Sequence, residues 1–323
     1  MGMKKYVIKR LLLMIPSILA IIVFNFVLIH LGGDPTNVLA GEMATPEFIE
    51  ALRERYGLNK PIHVQLFLYL SNVLRGDLGR SWRWSMPVSK LIANRLPNTL
   101  LLVLTSQILA ITIGVLLGVY TAKSYPSRKE TFLSSISLIM YSIPLFWFGL
   151  IMLIVFAFYL RWFPLGGIMS VLERKEGFAY VLDRIWHMVL PVATMSIAWL
   201  IPMYQRITAS SVIEVMNEDY ITTARAKGLP EGGVFIHHAL RNALLPTVTV
   251  AGMFLGLMFS GAILTETIFS YPGVGRLMIE ATFNRDFPVL MGIFLMVSVA
   301  VVFASLITDI VYAILDPRIR LGS

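Results

Sequence analysis

Residues 217–246 read NEDYITTARAKGLPEGGVFIHHALRNALLP. The stretch is too charged for a bilayer core and too well patterned for a loose loop, and long apolar runs flank it on both sides. Asn217 or Asp219 can cap the start of a helix, and Arg225 and Lys227 fall in a last turn where cations complement the negative helix end. Gly228 suits the position after the cap, and Pro230 blocks continuation. A helix over about Tyr220 to Lys227 is expected. Thr222, Thr223, Ala224 and Ala226 keep its surface low, while Tyr220 and Arg225 offer an anchor and a charge. A polar helix this short is marginal alone, so we expect a docking element held by a protein on the same side of the membrane.

Outward from this segment the chain is dominated by apolar runs. It is 57% hydrophobic, and the runs are long enough to cross a bilayer core of roughly 30 Å as helices. The reading is an all-α polytopic membrane protein with six spans: Leu11 to Leu31, Thr99 to Ala122, Phe132 to Leu160, Met188 to Met203, Pro246 to Thr265 and Val289 to Leu315. Pro144 offers a kink site in the third, and the fourth is short, with Pro191 and Pro202 inside it. Lys4, Lys5, Lys9 and Arg10 precede the first span and favour a cytoplasmic N-terminus, so six spans return the C-terminus to the cytoplasm. The first span is long for a signal peptide and lacks a small-x-small cleavage site, so it is expected to be retained. The division expected is a tail and first span at 1–31, an external helical insertion at 32–98, a membrane domain at 99–315 carrying the cytoplasmic segment 217–245, and a cytoplasmic tail at 316–323.

The insertion is expected to hold a helix from Pro46 to Gly57, a second opening at Pro61, and a short third from Pro87 to Arg95. Between the last two lies GDLGRSWRW, with Trp82 and Trp84 reading as exposed, either anchored at the membrane interface or meeting an external partner. The chain has no cysteine, which excludes disulfides and thiolate metal sites, and no metal site is expected. The net charge of +8 is accounted for by cations flanking the membrane and calls for no nucleic acid.

The span centres carry no acid or histidine, only small or amide side chains such as Asn25, Gln107, Ser106, Thr112, Thr194, Ser196 and Ser260, most of which should bridge helices. Proton- or sodium-driven carriers place ionisable groups there, so a proton-coupled carrier is the weaker alternative. An intramembrane protease would need a Ser–His pair at one depth or an H-E-x-x-H helix, and the motif is absent. Glu266 closes the fifth span ahead of Pro272, Gly273 and Gly275, and these four are expected to form an external gate or rim, with Glu266 paired to Arg276 or Arg285. Asp309 is expected to pair with Arg318 or Arg320, or with a basic residue of a neighbouring chain. Gly114 and Gly118 form a G-x-x-x-G expected to mark close helix packing. No catalytic residue is assigned.

Several stretches carry a family resemblance: GDPTNVLAGEMATPEFIEALRERYGLNKPIHVQ at 33–65, GDLGRS at 76–81, RLPNTL at 95–100, EDYITTARAKGL at 218–229, HALRNALLP at 238–246, TETIFSYPGVGRL at 265–277, RDFPV at 285–289 and DPRIR at 316–320. Through them the chain resembles the permease subunits of ATP-binding cassette (ABC) importers for dipeptides, oligopeptides and nickel, specifically the first of the two permeases usually paired. The resemblance implies that residues 217–245 dock on an ATPase, with Thr222, Thr223 and Ala224 at the positions of the Glu-Ala-Ala triplet and Gly228 at its glycine. It implies as partners a second homologous permease, two cytoplasmic ATPase subunits and an extracytoplasmic substrate-binding protein, which Trp82 and Trp84 could contact. This chain has no G-x-x-x-x-G-K-[ST] loop, so it is expected to bind no cofactor and not to be an enzyme, with ATP and Mg on the partner ATPases. A prokaryotic plasma or inner membrane follows, with peptide ranked before oligosaccharide or nickel as cargo.

Overall fold

In hydrocarbon, backbone polar groups must be paired within their own segment, and this chain meets that demand with helices. The computed structural model describes residues 3–31, 45, 50, 54, 59–170 and 175–315, and among these every regular element is helical. All but residues 50 and 54 of the helix expected at 46–57, the tail at 316–323 with Arg318 and Arg320, and the side chains of Ser260 and Asp309 lie outside the described ones.

α1 (Met3–Leu31) and α2 (Ile62–Leu74), which opens at Pro61, touch through Phe26 and Tyr69, whose ring centres are 5.9 Å apart. α3 (Val88–Lys123) is one helix of 36 residues starting after Pro87. The separate short helix expected over 87–95 is therefore part of the long one. Pro97 removes one N–H without ending α3, because buried Leu91 and Ile92 before it and Leu102 after it pin the turns on both sides.

α4 (Arg128–Ser142) begins at Ser127, whose hydroxyl accepts from the Glu130 N–H, and meets α5 (Leu145–Met152) at a 95° bend. Pro144 causes the bend as expected: it forces Ile143 out of the helical region, to ψ 127°, and cannot donate to the preceding turn. A π-helical stretch, Leu153–Tyr159, continues α5. α6 (Gly177–Met195), a π-helical turn at Ser196–Leu200 and α7 (Ile201–Met216) form a single rod of 40 residues. The short fourth span expected from its prolines is thus corrected. Pro191 is held by burial, and Pro202 falls at the start of α7, where the widened turn removes the conflict with its missing N–H.

After the rod come α8 (Asp219–Ala226), a run of helical turns at 231–243, α9 (Leu245–Ile268), α10 (Val274–Phe283) and α11 (Phe287–Leu315). Among the described residues, four helices are long and apolar enough to cross a membrane. They lie within α1, α3, the α6–α7 rod and α11, and the bent α4–α5 pair makes a fifth. α9 is 24 residues long.

The main core joins Leu102 and Val103 of α3 to Met188 and Met195 of α6 and Leu200 and Tyr204 beyond it. A second cluster packs Val88, Leu91 and Ile92 against Val274, Leu277 and Ile293. α3 and α7 approach through the two glycines singled out in the sequence. A Cβ at Gly118 would stand 2.6 Å from the Thr208 Cβ, and one at Gly114 the same distance from the Tyr204 Cβ. Polar side chains fasten the same seam: the Gln107 amide donates to the Tyr204 hydroxyl at 2.5 Å, and the Gln205 amide donates to Thr121 at 3.1 Å and to the Leu133 carbonyl at 3.3 Å. Ser196 likewise donates to the Ser106 carbonyl, whereas Thr112 turns back to its own helix at Ile108.

Candidate functional site

Two sites lie at opposite ends of the α6–α7 rod. At the end following Met216, α8 occupies 219–226, one residue earlier at each end than expected. Glu218, and neither Asn217 nor Asp219, holds the N-cap position, and it makes no side-chain cap bond. Lys227 closes the helix, and Gly228 follows at φ +77° with nothing within 4 Å of where a Cβ would be. Glycine is needed there for its backbone angle and not for space.

The helix is held by its own chain. Ile221 and Ala224 are buried against Val234 and Ala239 of the following turns, with Val215 and Met216 of α7 alongside. Ala224 therefore faces inward, which corrects its expected place on the docking surface. The sequence reading also missed that 231–243 is a scaffold; the signal was the spacing of Val234 and Ala239 opposite Ile221 and Ala224. Tyr220, Thr222, Thr223, Arg225 and Gly228 are exposed. The Asn242 amide donates to the Tyr220 hydroxyl at 2.9 Å, and the Arg225 guanidinium pairs with Glu231 at 2.9 Å, so both side chains are steadied. Beside them opens a hollow of about 660 Å³ lined by Lys123, Tyr125, Asn217, Arg225, Glu231 and Phe235. Lys123 stands over the Phe235 ring at 4.3 Å from its centre.

At the other end Glu266 is fully buried at the C-terminal turn of α9. Among the described residues it makes no ion pair with Arg276 or Arg285, the partners expected. One carboxyl oxygen accepts from the Thr99 hydroxyl at 2.6 Å and the other from the backbone N–H of Arg276 at 2.9 Å. The Arg276 guanidinium goes instead to Glu280 at 2.9 Å and to the Ser270 carbonyl at 2.6 Å. Glu266 thus caps the start of α10, where unpaired N–H groups favour a carboxylate. Thr99 accepts in turn from the Val274 N–H at 2.8 Å. The chain is folded so tightly here that a Cβ on Gly273 would lie 2.1 Å from the Glu266 carboxyl. Asn98 donates to the Pro272 carbonyl at 2.8 Å and accepts from Arg184 of α6 at 3.0 Å. Glu266, Pro272, Gly273 and Gly275 are therefore brought together. Asn98, Thr99 and Arg184 were missed because nothing local marks a side chain that serves another helix.

Trp82 and Trp84 are half-buried, not exposed. Trp82 packs on Phe287 with ring centres 5.9 Å apart, and Trp84 lies against the α3–α10–α11 cluster. Buried Asp286 fixes their loop, accepting from the Ser81 hydroxyl at 2.5 Å and the Arg83 N–H at 3.0 Å. An aspartate two residues ahead of a helix-starting proline, Pro288, was the available signal.

A family model described as the binding-protein-dependent transport system inner membrane component matches residues 114–321, and one for the N-terminal part of such membrane components matches 3–103. The chain belongs to this family. The permease is 41% identical over 320 residues to the oligopeptide transport system permease protein AppB of Bacillus subtilis (strain 168), covering 98% of this chain and 100% of the relative. It is 37% identical to the di/tripeptide transport system permease protein DppB of Pseudomonas aeruginosa (strain UCBPP-PA14) and 36% to the glutathione transport system permease protein GsiC of Salmonella paratyphi A (strain ATCC 9150 / SARB42). Each comparison covers 98% of this chain and 99% of the relative. Its fold is similar to that of a chain in inward-facing structures of the MetNI methionine ABC transporter, with a TM-score of 0.54, 16% identity, and coverage of 70% of this chain and 96% of that one. The permease is a multi-pass protein of the cell membrane and an import component of the ABC class.

Proposed function

We propose that this permease forms half of the translocation path of an ATP-driven peptide importer and passes ATPase motion to that path through α8. The observation that carries the reading is the exposed face of Tyr220, Thr222, Thr223, Arg225 and Gly228, presented on a scaffold built from the same chain directly below the α6–α7 rod. Full-length relatives named for oligopeptide and di/tripeptide transport support peptide as the cargo. In this reading α1, α3, α4–α5, α6–α7, α9 and α11 are six spans, both termini and segment 217–245 are cytoplasmic, and residues 32–98 are external. A second permease completes the path, two ATPase subunits supply ATP and Mg, and an external binding protein delivers cargo near the loop carrying Trp82 and Trp84. The cluster of Glu266, Pro272, Gly273 and Gly275 serves as the outer gate.

The test is to tag the chain, extract it gently and identify what co-purifies, then to measure ATP hydrolysis in vesicles. We expect a second permease and phosphate-loop ATPases, with hydrolysis stimulated by peptide-loaded binding protein. Recovery of the chain alone, active in uptake without ATP, would overturn the reading.

A further inference from the structure

Arg206 projects from the outer face of α7, and among the described residues it makes no hydrogen bond or ion pair. Its depth can be read from its neighbours. Gly118 of α3 meets Gln205 and Thr208, and the Gln205 amide reaches Thr121 and the Leu133 carbonyl. Arg206 is therefore level with residues 116–118, about 10 Å inside the Lys123 end of α3 at 1.5 Å per residue. With the edge of the hydrocarbon set at Lys123, just past the end of the expected second span, the backbone of Arg206 falls within the roughly 15 Å of one leaflet.

The face on which it stands is unlike the lipid-facing surfaces nearby. Arg206, Ser210, Glu214 and Asn217 are all exposed and, at 100° per residue, fall within a sector of about 80°. The exposed positions of α3 around this level are Thr112, Leu116 and Tyr120, and those of α4 are Thr131, Phe132, Ser135, Ile136, Leu138 and Ile139, none of them charged. Charged groups within a membrane face a protein interior or water and do not line up against acyl chains. A hollow of about 490 Å³ opens beside Arg206, and Tyr141, Ser210 and Ser211 bring hydroxyls to its wall.

We propose that this stripe of α7 lines the water-filled path and that Arg206 is an anion-binding position on it, receiving the carboxylate of a passing peptide. The fork of guanidinium donors matches a carboxylate in two parallel hydrogen bonds, and water in the path keeps the hold weak enough for release. The peptide part rests on the function proposed above; the path and the charge selection do not.

The chain has no cysteine, so single thiols can be introduced without background from this subunit. In the complete complex in vesicles, Arg206→Cys and Ser210→Cys are treated with membrane-impermeant methanethiosulfonates, with Ile136→Cys and Ile139→Cys on the exposed apolar surface of α4 as references. We expect the stripe positions to react at least tenfold faster; rates equal to the references would overturn the path assignment, whether lipid headgroups or a neighbouring subunit covers them. For Ser210→Cys, the ratio of anionic to cationic reagent rates should fall at least fivefold on adding Arg206→Gln; an unchanged ratio would overturn anion binding. Tripeptide uptake should fall at least fivefold in Arg206→Gln and partly recover in Arg206→Lys, and normal uptake in Arg206→Gln would overturn the carboxylate role. If the unmodified complex takes up no peptide, the cargo reading fails while the thiol results still decide the path.

Discussion

Gly228 and Glu266 show two ways in which a single residue fixes a site. At Gly228 only the positive φ matters, because no atom lies within 4 Å of a would-be Cβ. Gly228→Ala should therefore cost about 1 kcal/mol of local stability, and asparagine, which tolerates the left-handed region, should cost less than alanine. Substrate-stimulated ATP hydrolysis, measured beside membrane insertion, checks this: stimulation should drop with alanine and insertion should not change. Glu266 is governed by its partners. Glu266→Ala strands the Thr99 hydroxyl and the Arg276 N–H in a buried setting, a loss of about 3 kcal/mol, while Glu266→Gln keeps an acceptor and should lose less. Thermal unfolding of the purified complex should rank wild type above glutamine above alanine. A glutamine variant as unstable as alanine would show that the charge, more than the acceptor, holds α10.

At the scale of elements, α8 depends on its inward face more than on its helix propensity. Ile221 is fully buried, so Ile221→Ala should remove about 2–4 kcal/mol from the packing of α8 on its scaffold. Hydrogen exchange at 219–226 should speed up in this variant, while exchange in α3 stays as it was. Much of this element was legible in the sequence: the helix position, its stop at Gly228 and Pro230, and the bend at Pro144 all follow from local chemistry. The apolar runs likewise marked where long helices fall. Local chemistry misled at Pro97 and Pro191, which packing from other helices carries through, and at Pro202, which the widened turn ahead of α7 accommodates. It also misled at Glu266, where a nearby arginine in sequence supplies its backbone and turns its side chain elsewhere, and at Trp82 and Trp84, whose cover comes from helices some 200 positions away. Asn98, Thr99 and Arg184 belong to the same class: their roles exist only once α3, α6 and α9 are assembled.

Across the whole molecule the two sites are joined by covalent structure. The α8 segment follows the last residue of α7, and Arg184 near the opposite end of the same rod holds Asn98, which holds the Pro272 carbonyl. Arg184→Ala should cut this tie. We expect ATP hydrolysis to continue while cargo accumulation falls about tenfold, a loss of roughly 1.4 kcal/mol in coupling. Equal losses of hydrolysis and uptake would show instead that Arg184 serves assembly. The π-helical turn at Ser196–Leu200 interrupts the regular ladder between these two ends. A rod with one such joint works as a jointed crank: a push at one end reaches the other as a change of angle as well as a displacement, so in the proposed mechanism the stiffness of residues 196–200 would set how much of each ATP stroke arrives at the proposed gate.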